Sequence, residues 1–512
     1  MHATARDNHG GMTPPNTPVL VVGAGVTGCV LALELAHHGV PSIVVERAAR
    51  APRHRELTLV SGRSMELLRR LGLTSALRRH GFDPDWPPEI VWARGIGQPP
   101  VLVSRSPSVN EVLRTYEKNT DGSDPIEAYL LLPSSDLTSR LRVAARDHPL
   151  IDLRQGWTFT DLRADADAVV AVLVDAASGE RHMVQATYLA GCDGAHSTVR
   201  RCLAVTMEQL APPVPHCTVY FRSDELAGPP PGPATIITAG LTLTWRHDEH
   251  VWIGQLPMSA GEATMADPTA LLRGRLGSEP AEILGVAQSE EALRVATAYH
   301  RGPVYLAGEA AHHLAPPGGP VDTCIGDAVD LGWKLAAAVH GWGGPDLLAS
   351  YEHERRQRAL IDREMAARAL ETRRRFGRLA VAGASPEVLA GVLDQEAPQV
   401  DLAGAFPGAR APAVRMADGG ELFDKLGPQF TLVDQTEAGE GEELVATAEA
   451  QGLPIKHLPV RDPLVRDRWA ADLVLIRPDQ HIAWHSGGSP AGWKHLLDAM
   501  TATVHRPDHV NT

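Results

Sequence analysis

The 512-residue sequence predicts a mixed α/β protein, a parallel-sheet nucleotide-binding domain carrying an inserted antiparallel sheet. Three observations predict it. The apolar run Val19 to Val22 passes into Gly23-Ala24-Gly25-Val26-Thr27-Gly28 and then into Val30, Leu31, Leu33 and Leu35, the pattern of a strand, a tight glycine turn and a helix. A second apolar run, Ser42 to Val45, ends in Glu46, eighteen residues past Gly28, where a Rossmann-like unit keeps the carboxylate that accepts from a ribose hydroxyl. Between Cys217 and Pro257 the pattern changes to short alternating segments, which reads as an antiparallel sheet.

In the glycine turn, Gly23 permits the sharp bend, Gly25 lets a pyrophosphate touch the backbone, and Gly28 lets helix and strand pack closely. The helix N-terminus then faces the phosphates. Composition narrows the partners. With 48 Lys and Arg against 62 Asp and Glu the net charge is −14, a field that repels nucleic acid and anionic lipid. No apolar run approaches membrane-spanning length, so neither nucleic acid nor a membrane is an expected partner. Residues 1–16 are polar and rich in Pro and Gly and read as a disordered tail rather than a leader. The cysteines, Cys29, Cys192, Cys202, Cys217 and Cys324, form no CxxC pair and no metal-ligand spacing, which suits reduced thiols in a cytoplasmic protein.

In chain order, Arg47, Arg50, Arg53, His54 and Arg55 follow Glu46, either to neutralise a pyrophosphate or as a solvated face. A helix from Gly62 to Leu71 buries Met65, Leu67, Leu68 and Leu71, and Gly72 ends it. Strands at Glu89 to Ala93 and Val101 to Ser104 precede the polar stretch Ser106 to Ser123, read as a mobile surface loop that could act as a lid. After a strand at Glu127 to Leu132, Ser135 or Asp136 is expected to N-cap a helix carrying Leu137, Leu141 and Val143. A hairpin, Val169 to Val174 with His182 to Thr187, leads through Tyr188-Leu189-Ala190 into Gly191-Cys192-Asp193-Gly194 and a short basic helix. In the inserted sheet, Tyr220, Phe221, Trp245 and Trp252 either line a pocket or pack the sheet against its neighbours. Val304 to Ala307 is a strand ending in Gly308-Glu309, and Gly318-Gly319 feeds a helix expected over Ile325 to His340. Such a turn aims free N–H groups at whatever lies before it. Glu352, Arg355, Arg356, Glu364 and Arg368 mark a long polar helix, Leu347 to Phe376, read as a solvated linker.

These motifs carry a resemblance. Glycine turn with Glu46, Gly62 to Gly72, Gly191 to Ser197 and Gly308 to Lys334 stand in an order and spacing similar to those of the FAD-dependent aromatic and polyketide hydroxylases, the single-component flavoprotein monooxygenases. It spans roughly residues 17–380, and the absence of a second GxGxxG fits enzymes with no separate NAD(P)H domain. The tail resembles the family's thioredoxin-like C-terminal domain, with strands at Phe430 to Val433, Ile455 to Val460 and Leu473 to Ile476. No cysteine follows Cys324, so that domain runs no dithiol chemistry. It is read as structural or as a subunit contact, the latter implying a homodimer.

The fold implied is therefore a Rossmann-like FAD-binding domain (17–88, 127–203 and 295–345), an inserted antiparallel β-sheet substrate domain (89–126 and 204–294), linker helices (346–400) and a thioredoxin-like domain (401–512). The resemblance also implies roles. Glu46 would bind the adenosine ribose, with Gly23, Gly25, Gly28, Arg47 and Arg55 around the adenosine and pyrophosphate. Asp193 and Gly194 would lie near the ribityl and nicotinamide path, Gly308 and Glu309 would hold the ribityl chain, and Gly318, Gly319 and Thr323 would lie along the isoalloxazine. The implied activity is hydroxylation or epoxidation of a small polyketide-type molecule with NAD(P)H and oxygen. The alternative is a redox-silent (4+2) cyclase that keeps FAD as a scaffold. Departures gather at the flavin: Glu309 stands where relatives have Asp, Ser134 where they have Gln, and Gly318-Gly319-Pro320-Val321-Asp322-Thr323-Cys324 is shorter and poorer in glycine than their loop. An ionised Asp322 about 4 Å from the flavin would oppose reduction by roughly 4 kcal/mol at an effective dielectric of about 20.

Overall fold

The computed structural model describes residues 16–50, 56–119, 121–226, 232–247, 249–265, 267–314, 320–393, 408–437, 439–486 and 493. The tail at 1–16 apart from Asn16, and Arg53, His54, Arg55, Gly318 and Gly319, lie outside the described residues.

The first sheet is built as the apolar runs require. Strand β1 (Asn16–Val22) leads through the glycine turn into α1 (Val26–His37), and β2 (Ser42–Glu46) follows. Then come α2 (Gly62–Arg70), α3 (Ser134–Asp147), β3 (Ile151–Gln155), β4 (Arg181–Gly191) and β5 (Val304–Leu306). The parallel order is β5-β4-β1-β2-β3. Val19, Leu20, Val21 and Val44 have no exposed surface, because helices cover both faces of such a sheet. Two antiparallel strands, Trp157–Ala164 and Val169–Asp175, extend it from β4.

In the second sheet, Glu89–Ala93 and Pro100–Arg105 join strands from Val214–Arg222 to Glu282–Glu291. Its pairing decides the aromatic question. Phe221 lies opposite Trp252, and Trp252 opposite Trp245, so all three share the face that packs with Val219, Leu243 and Leu256 as a core. Only Tyr220 turns the other way, its hydroxyl donating to Glu56.

Several elements differ from the sequence expectation. The stretch read as a lid loop contains a helix, Val109–Tyr116, fixed by a capping box in which Ser108 and Glu111 satisfy each other's backbone N–H. Helix α3 has no side-chain cap: it starts at Ser134, directly after Pro133, the last residue paired to Leu57. The helix expected over Ile325 to His340, α4 (Pro320–Val339), begins earlier, so Asp322 and Thr323 occupy its first turn. Pro320 suits that position because its missing N–H would have had no helical partner.

The polar helix expected as a solvated linker is α5 (Pro345–Val381), a 37-residue strut. Glu352 accepts from the Tyr299 and His300 N–H groups, Arg355 bonds Asp327, and Arg356 donates to the Ala296 carbonyl. At its far end Phe376 packs on Trp92 of the second sheet, ring centroids 5.0 Å apart. Glu352, Arg355 and Arg356 are thus spent on neighbouring protein groups, whereas Glu364 and Arg368 are exposed as expected.

The C-terminal region carries the thioredoxin-like arrangement. Phe430–Asp434 and Ile455–Pro459 are parallel, and Leu473–Ile476 and Ile482–His485 complete the sheet antiparallel. Its hairpin turn docks on the first domain. Arg477 donates to Asp330 (3.0 Å) and Glu354 (2.8 Å), and Lys334 reaches the same carboxylates at 2.9 Å each. Arg63 of α2 donates to Gln480 and to the Asp479 carbonyl, both at 2.6 Å. Glu66 takes Arg63 at 3.0 Å and Arg410 at 2.9 Å, with no exposed side-chain surface.

Removing one partner of such a buried network leaves the others' charge uncompensated. Glu66→Ala is expected to destabilise the protein by roughly 3–5 kcal/mol, read as a lowered calorimetric transition with earlier proteolysis around Arg410. An unchanged transition would mean that the pairs add nothing to docking.

Candidate active site

The glycine turn is shaped by close backbone approach. Gly23 has φ +103°, and a Cβ on it would strike the Cys192 carbonyl oxygen of β4; a Cβ on Gly28 would strike the Gly23 carbonyl oxygen. At Gly25 a Cβ would meet nothing within 4 Å. This residue opens on a cavity of about 1020 Å³ that runs from the turn to the second sheet. Helix α1 starts there without a side-chain cap, so its free N–H groups and positive dipole end are left for an anion.

Around the turn, Glu46 is a brace. Its carboxylate accepts from the Ala24 N–H (2.8 Å) and the Ala48 N–H (2.9 Å), and Arg142 lies 3.1 Å away. Asp193 caps the short helix Thr198–Cys202, one oxygen accepting from the Thr198 and Val199 N–H groups. Its other oxygen is buried without a partner among the described residues, on a residue that lines the cavity. Gly23, Gly25, Glu46, Arg47, Asp193, Gly194 and Glu309 line one cavity. Gly28, Gly308 and Thr323 support it from behind: the Gly308 N–H donates to Asp327 (3.0 Å), and the Thr323 hydroxyl donates to Asp362 (2.7 Å) on α5.

The sequence reading missed three charged residues. Asp327, with no exposed surface, binds the Gly308 N–H, His312 and Arg355. Arg355 had been assigned to a solvated face. Arg142 sits on the cavity face of α3 with Ser134, Leu137 and Thr138, at the spacing that aligns residues along one side of a helix. Only that periodicity, with an Arg on the apolar side, could have revealed it.

Asp322 is corrected in role. Its carboxylate accepts from the Ser61 N–H (3.0 Å) and hydroxyl (2.9 Å), at the N-cap of α2, and it is not among the cavity-lining residues. Its charge is answered there by two donors and a helix N-terminus.

The opposite wall follows from strand register. Thr242, Gln255 and Thr218 form one row, and Thr235, Thr244 and Ile253 the next. His216 lies beyond them, its pKa pushed down to about 4 by burial and by Arg275. An uncapped helix N-terminus, an unpaired carboxylate oxygen and an open glycine are the groups that a phosphate, a hydroxyl donor and a pyrophosphate complete, so the cavity fits a dinucleotide.

Comparison with known proteins agrees. The FAD binding domain family model matches residues 16–237 and 266–362, and the aromatic-ring hydroxylase C-terminal model matches 405–507. The tetracenomycin A2 monooxygenase-dioxygenase of Streptomyces glaucescens is 30% identical, over 93% of this chain and 94% of its own. The dialkyldecalin synthase of Streptomyces rugosporus is 30% identical over 91% of this chain and 96% of its own. Among solved structures, the rebeccamycin biosynthetic enzyme RebC with reduced flavin superposes with a TM-score of 0.82 at 27% identity, covering 96% of this chain and 100% of that one. The chain belongs to the FAD-dependent aromatic-ring hydroxylase family. FAD is its cofactor. Among the described residues, no helix is long and apolar enough to cross a membrane and no cluster could hold a metal.

Two expectations follow. Gly25→Val should leave the fold intact, since its Cβ enters open space, yet abolish FAD uptake; Gly28→Val should lower the melting temperature of the apoprotein itself. Absorbance of the purified variants and thermal melts separate the two, and a yellow Gly25→Val protein would refute the pyrophosphate placement. His216 and His37, the latter also pushed down to about 4 by burial, set a pH dependence. Unfolded, both take protons near pH 6.5; between pH 6.5 and 4 the unfolded state therefore binds more protons, and stability falls as pH falls. The melting temperature should decline across that window, less steeply in His216→Gln.

Proposed function

We propose that the protein is an FAD-dependent monooxygenase that inserts one oxygen atom into a bulky, oxygen-bearing polyketide-type molecule. The observation that carries this reading is the continuous cavity, which joins the nucleotide turn to a wall of threonine, glutamine and histidine side chains. Such a wall presents donors and acceptors to carbonyl and hydroxyl groups, while the apolar residues Ile90, Ile237 and Ile253 take ring surface. FAD supplies the transfer of two electrons from NAD(P)H to oxygen, one oxygen atom entering the substrate as hydroxyl or epoxide and the other leaving as water. The chain's own residues bind and orient. Glu46 and the α1 N-terminus hold the adenosine and pyrophosphate, Asp193 and Glu309 face the path between them and the ring, and the second sheet closes the substrate off from water.

A second reading, a (4+2) cyclase using FAD as scaffold, is favoured by one observation: the glycine-poor start of α4, where Pro320 removes a backbone donor, in a chain similar to a dialkyldecalin synthase.

Anaerobic mixing with NADPH or NADH, with and without a substrate extract, tests the choice. The monooxygenase reading expects flavin absorbance to bleach in the presence of substrate and product to gain one oxygen. Product of unchanged oxidation level, formed with oxidised flavin and no oxygen, would overturn it in favour of the cyclase.

A further inference from the structure

Beside Glu46 lies a buried cation whose bonding is incomplete. Arg142 is 4% exposed. Its Nε donates to the Ala24 carbonyl at 2.6 Å, and Nη2 lies 3.1 Å from Glu46 Oε2. Nη1 is buried, lies on a residue that lines the cavity, and has no partner among the described residues. A buried guanidinium N–H without an acceptor is costly, so a side chain so firmly held by its other two nitrogens is poised for an acceptor supplied from the cavity.

Glu46 sets what that acceptor is. The carboxylate offers about four lone-pair sites and spends three on Ala24 N–H, Ala48 N–H and Arg142. What remains is one acceptor position on the carboxylate and one unfilled donor on the guanidinium whose Nη2 lies 3.1 Å from it. A hydroxyl can donate to the first and accept from the second. A phosphate oxygen can only accept, and it would meet the carboxylate's charge.

We propose that Arg142 is an adenosine-ribose-binding residue of the FAD site, forming with Glu46 an acceptor–donor pair that reads the ribose diol. The pair recognises a vicinal diol in which one hydroxyl donates to Glu46 and a hydroxyl oxygen accepts from Arg142 Nη1. The guanidinium also fixes the loop: through Ala24 and Glu46 it ties α3 to the glycine turn, so the diol meets a rigid edge.

Fluorescence titration of apoprotein tests this, with FAD and with FAD analogues lacking the adenosine 2′- or 3′-hydroxyl. In Arg142→Met, FAD affinity should fall about 10- to 100-fold, as for a hydrogen bond to a charged group. The unaltered protein should discriminate against both deoxy analogues; in the variant, discrimination against the analogue lacking the hydroxyl that accepts from Arg142 should vanish, while that against the analogue lacking the hydroxyl that donates to Glu46 persists. The melting temperature of apo Arg142→Met reports whether it folds; if it does not, Arg142→Lys, which keeps the charge but lacks the planar fork, carries the same comparison. Unchanged FAD affinity overturns the proposal. So does an equal loss for FAD and both deoxy analogues, which would place the contact on the pyrophosphate, and so does an unaltered protein that binds all three equally.

Discussion

Asp327 is the carboxylate on which the region between the turn after β5, α4 and α5 depends. It has no exposed surface, and burial alone would raise its pKa; the neighbouring Arg355 and His312 outweigh that and hold it below the usual carboxylate range. One oxygen takes the Gly308 N–H and His312, the other takes Arg355 at 2.8 Å. Three separate pieces of chain, the turn after β5, α4 and α5, are thereby fixed to one point. Arg355 also donates to the Thr323 carbonyl, which locks the first turn of α4, and with it Val321 and Cys324 on the cavity wall. Without the carboxylate, the Gly308 N–H would be buried with no acceptor and the Arg355 guanidinium would keep only the Thr323 carbonyl.

The same logic operates at the other end of the cavity. There Glu46 and Arg142 hold the backbone of the glycine turn from both sides, one taking the Ala24 N–H and the other its carbonyl. Both ends of the cavity are thus stiffened by largely buried, paired charges, which helps keep a large polar space open between two packed sheets.

How far the sequence could be read depended on whether a feature is local. The β1 strand, the glycine turn and α1 were legible because apolar period and glycine spacing are properties of neighbouring residues. The orientation of Trp245 and Trp252 was not, since the face a strand buries is decided by its partners' register. Arg355 looked like solvent-facing charge and Arg142 drew no notice, because their carboxylate partners lie far away in sequence, Asp327 and Glu46 respectively. The helix after Ser108 was overlooked for another reason: its polar composition hid a capping box that was fully present in the residues Ser108 and Glu111.

The docking of the C-terminal hairpin has a consequence for synthesis. Arg63 finds Gln480 across 417 positions of sequence, and Arg410 finds Glu66 across 344. Domains form in order as the chain leaves the ribosome, so the nucleotide-binding half is complete in outline long before α2 meets Gln480, Arg410 and the Pro478 carbonyl. During that interval Arg63 and Glu66 have each other and Arg70 has Glu34, but α2, whose Ser61 cap holds Asp322 at the start of α4, lacks its C-terminal contacts. The nascent protein therefore reaches its final shape only when the residues around Arg410 and Gln480 have emerged, and a ribosome that stalls before them would leave α2 without these contacts.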